Sequence, residues 1–98
     1  MNQEQSQVEE FHAHVTGRVQ MVMFRDFAQR KARGLKLVGS VQNLPDGSVE
    51  VVAQGERSIL EQFLAKLQRG SLLSHVERVE AEWRPLSERQ FDDFHIIY

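Results

Sequence analysis

The chain has 98 residues, 41% of them hydrophobic and 27% charged, enough to build one core without disulfide or metal staples. It has no cysteine, which excludes thiolate catalysis, disulfides and cysteine-ligated zinc and suits a reducing compartment. A net charge of -2 argues against a nucleic-acid surface, and no apolar run approaches the ~20 residues of a membrane-spanning helix.

Met1–Gln7 is polar and acidic, expected to form a tail and not a secretory leader, so the cytoplasm is the expected setting. From Val8 to Thr16 the residues alternate. Phe11, Ala13 and Val15 share one face and Glu10, His12, His14 and Thr16 the other, the pattern of a half-buried strand. A loop opening at Gly17 leads into a helical period, with Phe24, Phe27, Ala28, Ala32 and Leu35 on one stripe and Gly34 placed to end the helix. Val38–Leu44 is the expected second strand. The turn Pro45-Asp46-Gly47 folds it back into a third, Ser48–Gln54, as a hairpin.

A second helix is expected from Arg57 to Gln68, with Ile59, Leu60, Phe63, Leu64 and Leu67 as its apolar stripe. Ser58 and Glu61 are spaced as a capping box, and Gly70 closes the helix. After a loop at Ser71–His75, Val76–Arg84 alternates as a fourth strand with Val79, Ala81 and Trp83 on one side. Pro85–Asp92 is polar and irregular, and Phe94, Ile96 and Tyr98 alternate as a short last strand. The expected fold is therefore α+β, a ferredoxin-like split β-α-β of order β-α-β-β-α-β. Its sheet is mostly antiparallel with two helices on one face, and residues 8–98 form a single domain. That arrangement hosts many activities, so function has to come from a site.

The stretch Gly17-Arg18-Val19-Gln20-Met21-Val22-Met23-Phe24-Arg25 joins the first strand to the first helix. Such a loop is either an ordinary turn with an exposed arginine or an anion seat. In the second case backbone N–H groups and the Arg25 guanidinium converge on a phosphate. Asn43 precedes the hairpin turn; it is either a turn residue bonded to local backbone or a carboxamide able to hold a water. His12 and His14 share a strand face at a spacing acceptable for a metal, but no third ligand is placed by the sequence.

These residues carry a resemblance. The chain resembles the acylphosphatases, whose first signature, Gly-x-Val-Gln-Gly-Val-x-Phe-Arg, reads here as Gly17 to Arg25. The second is similar to Gly39-Ser40-Val41-Gln42-Asn43-Leu44-Pro45-Asp46-Gly47-Ser48-Val49. Gln54-Gly55 and the ending Phe94-His95-Ile96-Ile97-Tyr98 also look like family features, so the resemblance spans Phe11 to Tyr98. It implies hydrolysis of the carboxyl-phosphate bond of small acyl phosphates, without a cofactor or metal, by a cytoplasmic monomer. It also implies that Arg25 and the backbone N–H groups of Gln20, Met21, Val22, Met23 and Phe24 bind the phosphate while Asn43 positions the attacking water.

Position 21 departs from the pattern. Met21 stands where the family has glycine, and a side chain forced into a left-handed backbone costs roughly 1–3 kcal/mol, so weaker phosphate binding is expected. Two other readings differ in class. One is a non-catalytic module that binds acyl or carbamoyl phosphate, as in larger carbamoyl-transfer proteins, disfavoured by the chain's length. The other is an RNA-recognition domain of the same element order, disfavoured because Ser48-Val49-Glu50-Val51-Val52-Ala53 has no aromatic and an acidic residue.

Overall fold

The computed structural model describes residues 8–86 and 90–98; the expected tail, Met1–Gln7, lies outside them. The elements run β1 (Val8–Arg18), α1 (Phe24–Gly34), β2 (Val38–Asn43), β3 (Val49–Glu56), α2 (Arg57–Arg69), β4 (His75–Leu86) and β5 (Phe94–Ile97). They build one sheet of order β4-β1-β3-β2-β5. β3 is antiparallel to both β1 and β2, so those two run parallel with β3 between them, as expected for a split β-α-β. β5 joins the outer side of β2 in parallel. Among the described residues no helix is long and apolar enough to cross a membrane.

Alternation along the strands fixes which face meets the helices. Phe11, Ala13 and Val15 of β1, with Val49, Val51 and Ala53 of β3, are buried. α1 lies over β2 and β5, and α2 over β1, β3 and β4. Four fully buried phenylalanines, Phe11, Phe24, Phe63 and Phe94, come from four different elements. Phe63 stacks on Phe11 at 6.0 Å and meets Phe94 edge-on at 5.7 Å. Losing any one of these rings costs about 3–5 kcal/mol.

The opposite face of the sheet is polar and organised around Glu10, which is 2% exposed. Its carboxylate accepts hydrogen bonds from Gln54 Nε2 at 2.7 Å and Arg84 Nε at 2.7 Å, and pairs with His12 Nε2 at 2.9 Å. Gln54 Oε1 in turn accepts from the Gln90 backbone N–H at 2.8 Å. Burial by itself raises the Glu10 pKa, but the bonds from Gln54, Arg84 and His12 outweigh it and hold the carboxyl below its ordinary value.

Several local expectations give way to different solutions. Gly34 does end α1, but as its last helical residue, and the left-handed position falls on Lys36 at φ 59. The Leu37 N–H bonds the Ala32 carbonyl and the Lys36 N–H bonds that of Arg33, a Schellman closure built on a lysine. The capping box at Ser58 and Glu61 does not form. β3 runs directly into α2, so Glu56 is the N-cap, Ser58 is already helical, and Glu61 bonds Arg57 Nε at 3.0 Å. β4 extends past Arg84 to Leu86, because it is an edge strand and Pro85 removes no ladder donor that the sheet needs. Residues 87–89 of the stretch expected to be irregular lie outside the described residues.

Two stability predictions follow from these features. Lys36→Gly relieves an L-residue held left-handed and should raise stability by about 1 kcal/mol, read as a higher urea midpoint at unchanged m-value. Because the Glu10 pKa is lowered by folding, its contribution is full above the ordinary value of 4.5 and is lost as pH falls through the depressed folded value. Glu10→Gln should therefore cost about 1–3 kcal/mol at neutral pH and flatten the loss of stability below pH 4.5 in acid titrations of the urea midpoint.

Candidate active site

The topology gathers three chain segments at one end of the sheet. β1 and β2 are parallel, so the loop after β1 and the last residue of β2, Asn43, emerge at the same end. β5 is parallel to β2 with Ile97 beside Gln42, so Tyr98 arrives there too. A cleft of about 400 Å³ lies between them. Its walls are Val19, Met21 and Met23 of the loop, Phe24, Arg25 and Asp26 at the start of α1, Asn43, and Ile96 and Tyr98.

The loop occupies residues 19–23, since β1 continues to Arg18. Gly17 therefore belongs to the sheet. It sits at a bulge between β1 and β4 with φ 122, and a Cβ there would lie 2.1 Å from the His75 carbonyl oxygen. Gly39 is comparable: β3 passes so close that a Cβ would be 1.9 Å from the Val52 oxygen. Both signature glycines thus serve close packing of the sheet that supports the site.

Within the loop the left-handed positions are Met21 at φ 60 and Met23 at φ 61, neither of them glycine. Met23 is also the N-cap of α1 and makes no side-chain cap. Among the described residues the backbone N–H groups of Gln20, Met21, Val22, Met23 and Phe24 meet no protein acceptor, and the first helical bond is Phe27 N–H to the Met23 carbonyl at 3.0 Å. Helices ordinarily satisfy these donors with Ser, Thr, Asp or Asn at the cap. Here the start of α1, which carries the positive end of the helix dipole, borders the cleft through Met21, Met23 and Phe24.

Phe24 is 1% exposed in the core, so the first turn of α1 is anchored and the adjacent Arg25 is held at the cleft. The Arg25 guanidinium lies 5.1 Å from the Tyr98 ring centroid, and its Nη1 is 3.5 Å from the Ile97 carbonyl oxygen. Neither contact neutralises its charge. On the facing wall Asn43 Oδ1 is buried with no hydrogen-bond partner among the described residues. Native structures seldom leave such an acceptor unmet, and the cost is about 1–3 kcal/mol.

Sequence reasoning placed Gln20 in the site through its backbone and missed its side chain. Gln20 Nε2 donates to the Leu44 and Ser48 carbonyls, each at 2.8 Å, and so ties the anion loop to the turn that follows Asn43. That turn is pinned from below. The Asp46 carboxylate accepts from the Ser48 hydroxyl and from the Ser48 N–H at 2.9 Å, and these two bonds, the hydroxyl first, lower its pKa. The signal for Gln20 was its own signature position, but only tertiary structure shows what it reaches.

His12 and His14 face away from this cleft, bonded to Glu10 and to Ser48. A second cleft of about 440 Å³ on that opposite face includes Asp46, Glu50, Glu80 and Glu82. Its carboxylates repel a phosphate, whereas the Arg25 cleft attracts one.

The fold is that of a small α+β protein whose β1–α1 loop, Arg25, Asn43 and Tyr98 line one cleft. Residues 11–96 match the acylphosphatase family model, and the chain belongs to the acylphosphatase family. It is 52% identical over 83 residues to an acylphosphatase of Methanococcoides burtonii, covering 85% of each chain. It is 50% identical over 84 residues to one of Thermus thermophilus, covering 86% of this chain and 93% of that one. Among solved structures it is similar to the acylphosphatase from Bacillus subtilis, with a TM-score of 0.87 and 36% identity over 92% of this chain and 99% of that one.

Gln20→Ala removes two side-chain bonds from the turn and leaves its carbonyls with their backbone partners, the Gly47 N–H on Leu44 and the Leu44 N–H on Ser48. It should cost about 1–2 kcal/mol in urea unfolding and speed amide hydrogen exchange at residues 44–48.

Proposed function

We infer that the protein is an acylphosphatase, hydrolysing the carboxyl-phosphate bond of small acyl phosphates to a carboxylate and inorganic phosphate. The observation that carries the site assignment is the uncapped start of α1. Among the described residues the N–H groups of residues 20–24 meet no protein acceptor, and the loop that carries them lines one cleft with Arg25 and Asn43. Arg25 and those N–H groups bind the phosphoryl oxygens and stabilise the charge that builds on them. The Asn43 carboxamide positions the attacking water in line with the bond to be broken.

In this mechanism the water oxygen bonds to phosphorus, the P–O bond to the carboxyl oxygen breaks, and the acyl group leaves as a carboxylate. The water's proton passes to a phosphate oxygen of the substrate itself. A carboxylate is a good leaving group, so positioning and charge stabilisation suffice and no histidine is required. His12 and His14 lie on the far face of the sheet. The reading as a non-catalytic phosphate-binding module is not favoured, because the relatives matched over most of their length carry the name acylphosphatase. A monomer acting in the cytoplasm on a small molecule, without nucleic acid or membrane, completes the proposal; the face of β3 away from the helices carries Glu50, Val52 and Gln54, with no aromatic ring on which bases could stack.

Turnover of benzoyl phosphate should fall at least about 100-fold in Arg25→Ala and in Asn43→Ala at preserved circular dichroism. Undiminished turnover in either variant overturns the assignment. Met21→Gly removes a left-handed side-chain-bearing residue and should lower KM for acetyl phosphate severalfold; an unchanged KM would show that the methionine does not weaken phosphate binding.

A further inference from the structure

Among the described residues six large apolar side chains stand exposed: Met21, Met23, Leu72, Leu73, Ile97 and Tyr98. Three of them, Met21 at 98%, Tyr98 at 93% and Met23 at 70%, line the Arg25 cleft. Folding gains almost nothing from these three, since they bury little, and both methionines sit in left-handed backbone that disfavours any side chain. Scattered exposed apolar residues need no explanation, but this concentration beside a charged seat does. The half-buried Ile96 continues the same wall, and the Tyr98 ring is steadied by the Arg25 guanidinium.

The cleft is thus polarised in the same way as an acyl phosphate. A dianionic head would meet N–H groups and a guanidinium, and the tail would meet thioethers and an aromatic ring. Methionine is unbranched and adaptable, and suits apolar groups of varied shape. Building on the functional reading above, we propose that Met21, Met23 and Tyr98 form a seat for the acyl group. It makes the enzyme selective for acyl phosphates with extended apolar acyl chains over acetyl phosphate.

The test uses the straight-chain series from acetyl to hexanoyl phosphate, in which the phosphate end and the leaving-group acidity stay nearly constant. A fully buried methylene is worth about fourfold in kcat/KM, and an open cleft covering one side of the chain should give about twofold per methylene. Met21→Asn and Met23→Asn keep a residue tolerant of left-handed backbone, and Tyr98→Ser removes the ring. Each should shrink the increment per methylene, so hexanoyl phosphate loses more than acetyl phosphate does. A flat series in the parent overturns the proposal. So does an equal loss for all chain lengths in all three variants, which would assign these side chains to the phosphate end. If the parent turns over no member of the series, the hydrolase reading itself fails, and this inference with it.

Discussion

Two hydrogen bonds from one carboxamide hold the site together. Gln20 Nε2 reaches both the Leu44 and the Ser48 carbonyls, and so fixes the loop after β1 against the turn after β2. The sheet alone brings those segments to the same end but does not set their spacing, because β3 separates β1 from β2. With the clamp in place, Met21, Met23 and Phe24 of the loop and helix start line a common cleft with Arg25 and Asn43. An anion seat works only if its donors are already oriented, since reorganisation on binding would consume the gain.

The backbone strain in the loop has the same logic. An L-residue at φ near 60 is unfavourable, and the chain accepts it at both Met21 and Met23. It also forgoes the side-chain cap that most helices use. Both costs fall at the start of α1, beside the cleft that Arg25 and Asn43 line. The buried phenylalanines and the Glu10 cluster supply a scaffold on either face of the sheet that can carry them.

Much of this was legible in the chain. Period-two alternation gave β1, β4 and the short β5, the turn Pro45-Asp46-Gly47 gave the β2–β3 hairpin, and the Phe24–Leu35 stripe gave α1, because such patterns reflect burial, which dominates folding, and turn chemistry. The two signatures placed Arg25 and Asn43, and the structure brings them to one cleft. What escaped depended on contacts distant in sequence or on competition between local solutions. Gly34 ends α1 as expected, yet the left-handed residue of the closure lies two residues later, on Lys36, which no glycine signal marks. Ser58 looked like a cap, but no loop separates β3 from α2, so Glu56 takes the cap position and Ser58 is already helical. Gly17 looked like a loop glycine until the approach of β4 showed why no Cβ fits. The Gln20 clamp spans 24 and 28 residues of sequence, and periodicity carries no information about it.

The central claim is that one phosphate binds where the loop, the start of α1 and Arg25 converge. Titration with inorganic phosphate, the reaction product, followed by amide nuclear magnetic resonance, tests it most directly. The account predicts saturable shifts concentrated in the N–H groups of Gln20 to Phe24, with Arg25 Nε and the Asn43 carboxamide responding at the same concentration. Shifts centred on His12, His14 and the opposite face of the sheet, or no saturable response in the loop, would contradict it.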